Sequence, residues 1–151
     1  MTPRRLNPDS LNEKLDHMRR LLERLEQLGP MTRERLEADD IERAAGERWL
    51  TLLVEAAASI NLHVAAARFG RVERDYAASF RQAAEAGLID EELAERLAPS
   101  AATRNHLVHG YLGIDLDQLA AAFALAQEQY GEYVRQAAAF VEAEVAAERD
   151  R

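Results

Sequence analysis

The sequence has no cysteine, a single lysine and no segment with the alternating polar and apolar pattern of a β-strand. Without cysteine, the 151-residue chain has no disulfide bond, no thiolate nucleophile and no cysteine-based metal site. We also find no apolar run long enough to cross a membrane, and no apolar stretch of the secretory-signal type follows the first five residues. We therefore expect a cytoplasmic protein with no membrane partner.

The charge of the chain is strongly negative, with a net value of −8 at pH 7. Because such a surface repels phosphate, we do not expect nucleic acid to cover it, although a small basic cleft is compatible with this charge. Apart from Lys14, the 19 basic residues are all arginine. Arginine suits bidentate phosphate contacts, but a GC-rich genome produces the same bias and is the simpler explanation.

The first predicted helix begins at Asn7 and Pro8 and ends at Gly29. Its apolar residues are spaced alternately by four and three positions, which places them on one narrow stripe of the helix. They are Leu11, Leu15, Met18, Leu22 and Leu25. This stripe indicates packing against one partner helix, either within the domain or, as a second candidate, across a dimer.

A second and longer helix is predicted from about residue 40 to about residue 68, and Gly70 ends it. Its broad apolar face includes Ile41, Ala44, Ala45, Leu52, Leu53, Ala56, Ile60, Val64 and Ala67. A shorter helix should follow and end at Gly87. Asp90 is then typical of the N-cap of another helix.

The last third of the chain is predicted to be helical as well. Pro99 and Ser100 should begin a helix that ends at Gly110, and Asp115 should cap a last long helix. The core face of that last helix includes Leu119, Phe123, Tyr130 and Val134. These patterns predict an all-α, up-down bundle of four to five helices, in one domain spanning residues 1–151 with a frayed tail at residues 145–151.

The segment RNHLVHGY, residues 104–111, gathers an arginine, an asparagine, two histidines and a tyrosine in two helical turns. At about 100° per residue, Arg104 and Tyr111 lie on one stripe, whereas Asn105 and His109 lie one turn apart on the adjacent stripe. Taken alone, such a cluster is more often a structural hydrogen-bond network than a catalytic site.

Through Arg104, Asn105, His109 and Tyr111, the segment resembles the Arg-x4-His-x-Tyr signature of HepT-type proteins in the HEPN superfamily. The similarity extends to the stretches LVHGYLGID, EAGLIDEELAERL and LLVEAAASINLHVAA, and so covers about residues 10–140. It implies a HEPN-type bundle that forms a homodimer. It also implies a metal-independent endoribonuclease that needs no cofactor and is the toxin of a toxin–antitoxin pair.

The resemblance further implies a role for each residue of the signature. Two copies of the motif would form a composite RNA cleft, with His109 as general base or acid and Arg104 stabilising charge at the phosphate. Asn105 would orient the phosphate or the imidazole. Tyr111 would receive AMP from the antitoxin, a minimal nucleotidyltransferase, and the added bulk and negative charge would block the cleft.

Four other residues are candidate RNA contacts. His106 would lie at the rim of the motif, and Arg68, Arg71 and Arg74 belong to a loose basic run. Solvated ion pairs are the ordinary explanation for such a run. Contacts with the RNA backbone, which fix position without reading sequence, are the sharper alternative.

Glu55 and His63 lie two turns apart on the second helix, near one face. Members of the family that the chain resembles tend to have an acidic residue one turn before the histidine, where this chain has Ser59. We interpret His63 as a histidine whose hydrogen bonds are satisfied in the core, and the role of Glu55 stays open. The acidic residues in the range 39–42 are explained by a charged helix start, so no metal site is expected.

Two alternatives to a nuclease stay open. The first is a non-catalytic HEPN module whose dimer binds a nucleotide or a partner enzyme, with the motif as its docking surface. The second is a purely structural helical dimer. A toxin should slow growth in a way that depends on His109, whereas a binding module should be harmless.

Overall fold

The computed structural model describes residues 5–110 and 113–151, and all the regular secondary structure of these residues is α-helical. The six helices of this part of the chain are α1 Pro8–Leu28, α2 Arg33–Ala38, α3 Asp40–Phe69, α4 Tyr76–Glu85, α5 Glu91–His109 and α6 Leu116–Arg149. The predicted all-α class is therefore confirmed. The short α2 is an addition to the predicted helices, and the Thr32 side chain caps it.

Side-chain caps begin the helices where the sequence predicts them. Asn7 and Asp90 each accept a hydrogen bond from the backbone N–H three residues later, at the starts of α1 and α5. Asp115 caps α6 in a similar way. These bonds satisfy backbone donors that a helix leaves free in its first turn. Gly70 ends α3 with a φ of 68°, a left-handed conformation that favours glycine.

The long helices α1, α3 and α6 form one part of the bundle, because α1 packs against both of the others. Helices α4 and α5 pack against each other and against α3, and α5 also contacts α6. The core contains Met18 of α1, Phe80 of α4, and Tyr130 and Tyr133 of α6 among its largest buried side chains. This arrangement brings the C-terminal part of α5 next to α3 and α4.

A buried polar network joins α3, α4 and α6. The Tyr133 hydroxyl donates to Asn61 Oδ1 at 2.7 Å, and the Asn61 amide donates to the Ser79 hydroxyl at 3.3 Å. The Tyr130 hydroxyl shares a 2.5 Å hydrogen bond with Ser100 of α5. Burial raises the pKa of Tyr130 and of Tyr133 above the usual value, so both hydroxyl groups stay protonated and act in structure.

The buried stripe of α1 differs from the prediction by one residue. Leu21 is 4% exposed, whereas Leu22, which the spacing places on the stripe, is only half-buried. The reason is that α1 packs against two helices and so buries a wider face than a single partner would cover. Because the stripe is covered inside the chain, it is not the dimer contact that was our second candidate.

The predicted apolar face of α3 is partly wrong. Ile41 is 83% exposed, and Leu52 and Ala56 are only half-buried. The large buried residues are Leu50, Leu53, Val54, Ile60 and Val64. Since α3 contacts α1 on one side and α4 and α5 on another, its apolar residues surround the helix and their periodicity does not single out one face.

By length and composition α3 is also apolar enough to cross a membrane, contrary to our prediction that no segment is. However, 56% of its most apolar window is buried inside the protein, as in the core helix of a water-soluble bundle.

Helix α5 is continuous through Pro99, so the predicted start of a separate helix there is wrong. Proline removes one backbone donor, but Pro99 is exposed and its missing bond leaves the core packing intact. A buried face continues on both sides of it, formed by Leu93, Ala94, Leu97, Ala98 and Ala101. Helix α6 continues to Arg149, so residues 145–149 are helical.

Candidate functional site

Arg104 lies near the C-terminal end of α5 and forms an ion pair with Glu55 of α3. Its Nε and Nη2 atoms both donate to Glu55 Oε1, at 3.2 and 2.8 Å. The two side chains are 17% and 31% exposed, whereas those of the surface pair Arg81–Glu95 are 54% and 59% exposed. Because water screens a shielded pair less than a surface pair, Glu55 holds Arg104 firmly in one orientation.

An aromatic ring and an amide complete the surroundings of Arg104. The guanidinium carbon lies 4.9 Å from the centroid of the Tyr76 ring, which is within the range of a cation–π interaction. The Nη1 atom donates to Asn105 Oδ1 at 3.1 Å. Since Tyr76 is the first residue of α4, three helices, α3, α4 and α5, together position this one arginine.

The other polar residues of the motif face solvent. His109 is the last residue of α5, and it is exposed, as are Asn105 and His106. The Gly110 N–H donates to the His106 carbonyl at 2.7 Å, and a Cβ at position 110 would clash with that oxygen. Only glycine therefore allows the chain to turn this closely after His109. Tyr111, the predicted site of modification, lies outside the described residues.

The apolar pair between these polar residues anchors the motif on one side only. Leu107 packs against the core, but Val108 is 44% exposed. A cavity of about 460 Å³ lies beside the motif, between α5 and α6, and His106 and Leu125 are among its lining residues. Leu125 is itself 48% exposed. The surface next to the motif is therefore partly apolar.

The basic run that follows α3 contains both paired and unpaired arginines. Arg68 forms an ion pair with Glu144 of α6, and its guanidinium carbon lies 5.4 Å from the centroid of the Phe140 ring. Arg71 and Arg74 are exposed and form no ion pair with another described residue. Both belong to the α3–α4 connection, which leads directly into the first residue of α4.

The contacts of Arg104 with Glu55 and Tyr76 were not predicted from the sequence. Each joins Arg104 to a residue far from it in the chain, and no local pattern signals such a contact. The interpretation of His63 is confirmed only in part: its Nε2 accepts a hydrogen bond from the Asn7 backbone N–H at 3.0 Å, but the residue is half-buried and does not lie in the core. In the described residues, no group of three His, Asp or Glu side chains is placed to hold a metal ion.

Comparison with known proteins gives concordant matches. The sequence model of a family described as Ribonuclease HepT-like matches residues 18–137. The chain is 30% identical over 132 residues to the tRNA nuclease HepT of Aphanizomenon flos-aquae (strain 2012/KM1/D3), covering 87% of this chain and 89% of that protein.

Two solved structures have a similar fold. One is a tri-AMPylated Shewanella oneidensis HEPN toxin in complex with an MNT antitoxin, with a TM-score of 0.74 and 20% identity. The match covers 83% of this chain and 94% of that one. The other is a tyrosine-to-alanine mutant of the toxin–antitoxin complex MntA–HpeT, with a TM-score of 0.73, 19% identity and coverage of 83% and 95%.

The six helices have the fold of a solved HEPN toxin, and Arg104, Asn105 and His109 lie near the C-terminal end of α5. The family match covers most of the chain, and so does the match with the Aphanizomenon flos-aquae relative. The chain belongs to the Ribonuclease HepT-like family. Its enzyme class is therefore that of an endoribonuclease, and the resemblance inferred from RNHLVHGY is confirmed.

Proposed function

We propose that this chain is the ribonuclease toxin of a cytoplasmic toxin–antitoxin pair, that it cleaves RNA without a metal ion, and that AMP transfer to Tyr111 neutralises it. The observation that carries the proposal is the end of α5. There Glu55 orients Arg104 next to the exposed Asn105, one helical turn before the exposed His109, in a chain of the Ribonuclease HepT-like family. The Aphanizomenon flos-aquae relative, a tRNA nuclease, supports a tRNA substrate.

The proposed chemistry uses the nucleophile that RNA itself contains. The 2′-oxygen attacks phosphorus, the bond from phosphorus to the 5′-oxygen breaks, and the 5′-oxygen leaves with a proton. This step needs a base, an acid and stabilisation of negative charge, which side chains can provide. In our proposal His109 transfers protons, the N–H donors of Arg104 bind the phosphate oxygens, and Asn105 orients the phosphate or the imidazole.

The geometry of α5 favours a site that two chains share. Arg104 and His109 are five residues apart, which corresponds to about 140° around the helix axis and about 7.5 Å along it. One chain therefore directs these two side chains away from each other. In a homodimer, His109 of one protomer can face Arg104 of its partner, and the two histidines can divide the roles of base and acid.

We place the contact between the two copies on the partly apolar surface beside the motif. Leu125 is 48% exposed there and lines the cavity between α5 and α6. Burial of this side chain against a second copy would remove apolar area from water, which favours association. The same contact would bring two motifs together.

The Leu125→Glu variant should be monomeric, because a charge at the centre of this contact costs free energy on association. Light scattering coupled to size-exclusion chromatography measures the mass directly. Ile41→Glu is the matched control, since Ile41 is 83% exposed at the far end of α3 and its replacement should leave a dimer. A dimeric Leu125→Glu protein would show that the contact lies elsewhere.

Neutralisation and RNA contact complete the proposal. An AMP group on Tyr111 would add bulk and a phosphate near Arg104 and His109, and the partner that transfers it would be a nucleotidyltransferase antitoxin. The structural neighbour that is an AMPylated toxin bound to an MNT antitoxin supports this part. Arg71 and Arg74 are the better candidates for RNA backbone contacts, because both are exposed. The ion pair with Glu144 already neutralises the charge of Arg68, so Arg68 is the weaker candidate. His106 remains a further candidate, at the rim of the motif.

The proposal is tested by incubating purified protein with bulk cellular tRNA in the presence of excess EDTA. Mass spectrometry first establishes that the protein carries no AMP, and circular dichroism that it is folded. We expect endonucleolytic products. Failure of folded, dimeric, unmodified protein to cleave tRNA or total cellular RNA would instead favour the non-catalytic binding module, with or without bound nucleotide.

A further inference from the structure

We infer that Glu55 is a positioning residue for RNA cleavage, which holds the guanidinium of Arg104 in the orientation that binds the reacting phosphate. This inference rests on the proposed nuclease function. It gives Glu55 a role that the pattern of the motif does not indicate, because Glu55 lies on α3 and the motif lies on α5.

A guanidinium has five N–H donors, and Glu55 occupies one complete edge of it. Glu55 Oε1 accepts from both Nε and Nη2, and Asn105 Oδ1 accepts from Nη1. Among the described residues, one N–H on Nη1 and one on Nη2 then remain without an acceptor. Two nitrogen donors on one planar group match two oxygens of a phosphate. Glu55 therefore decides which donors of Arg104 are left for the substrate.

The surroundings of the pair restrict Arg104 further. The Tyr76 ring, 4.9 Å from the guanidinium carbon, covers part of the group from α4. The Arg104 side chain is only 17% exposed, although the motif around it faces solvent. A long arginine side chain on a helix surface would normally sample many rotamers, and the restriction lowers the entropic cost of reaching the reactive geometry from the bound complex.

The charge of Glu55 has an opposite effect on RNA binding. A carboxylate next to Arg104 repels the phosphate in the ground state and partly cancels the positive charge that attracts it. Removing the charge should therefore strengthen binding while it weakens orientation. A tighter complex that reacts more slowly is a result that a merely structural role for Glu55 does not produce, because loss of structure weakens binding and cleavage together.

The test compares Glu55→Gln and Glu55→Ala with the wild-type protein, by single-turnover cleavage of end-labelled bulk tRNA. Glutamine retains an oxygen acceptor without the charge, so the rate should fall about tenfold for Glu55→Gln and about 100-fold for Glu55→Ala. The Kd for tRNA, measured with His109→Ala as the uncleaving background, should be unchanged or lower when Glu55→Gln is added.

The matched control is Glu47→Gln, which removes a pair of similar burial on the same helix. Glu47 accepts from Arg43 Nε at 2.8 Å, and both side chains are 28% exposed. This variant should cleave at the wild-type rate. Wild-type rates for both Glu55 variants, or a parallel loss of binding and cleavage, would overturn the inference. Absence of cleavage by the wild-type protein would overturn the proposed function itself, and the role of Glu55 with it.

Discussion

His109→Ala and Arg104→Lys should each lower the rate of RNA cleavage by about 100-fold or more, with little change in fold. Removing a general acid or base typically costs 100-fold to 10,000-fold, and removing one donor that stabilises transition-state charge costs 100-fold to 1,000-fold. Single-turnover cleavage of bulk tRNA by purified variants measures both effects. His109 is exposed at the end of α5, so its replacement removes no core contact.

The lysine substitution at position 104 separates charge from geometry. Lysine keeps the positive charge, but its single ammonium cannot bond Glu55 through two nitrogens and also reach Asn105. Arg104 does both, through Nε, Nη2 and Nη1. If charge alone were needed, Arg104→Lys would cleave at nearly the wild-type rate, and our assignment of a planar phosphate-binding group would be wrong.

Arg43→Lys provides the control for this comparison. Arg43 also bonds a glutamate through Nε, in a pair whose side chains are 28% exposed, but it lies near the start of α3. The Arg43→Lys variant should cleave RNA at a rate within about twofold of the wild-type rate. In cells that lack the antitoxin, expression of wild-type protein and of Arg43→Lys should slow growth, whereas expression of His109→Ala should not.

The signals that predicted the fold correctly are those that act over a few residues. Helix caps are one such signal: the side chains of Asn7, Asp90 and Asp115 accept hydrogen bonds from backbone N–H groups two or three residues later. Residue type and position along the chain are enough to predict these caps. Where the course of a helix depends on packing against other helices, prediction from the sequence was less accurate. A proline normally interrupts a helix, but α5 continues through Pro99 because a buried face holds its two halves together.

For the candidate site, the sequence singles out one short segment but none of its partners on other helices. Arg104, Asn105 and His109 share one short segment, and the family match supports the resemblance that singled them out. The partners Glu55 and Tyr76 are different, because they meet Arg104 only after α3, α4 and α5 have packed together. Contacts of this kind depend on helix crossing angles and side-chain directions, which the spacing of residues in one sequence does not determine.

The packing of α4 therefore bears on function, and Phe80→Ala should show how strongly. Phe80 is completely buried, and its ring meets that of Tyr133 edge to face, with centroids 6.2 Å apart and an interplanar angle of 84°. Removing a buried phenyl ring leaves a cavity and typically costs about 3–5 kcal/mol, out of a total stability of about 5–15 kcal/mol for a small domain. Urea denaturation followed by circular dichroism measures the change.

Phe69→Ala is the matched control, because it removes the same ring from a site that is 39% exposed and should cost less than about 1 kcal/mol. Phe80 lies one helical turn after Tyr76, so a cavity at Phe80 should also loosen the ring that covers Arg104. We therefore expect Phe80→Ala to cleave RNA more slowly than wild type even at temperatures where it remains folded. Equal losses of stability for the two phenylalanine variants would mean that α4 is not packed as described, and that Tyr76 is not held against Arg104.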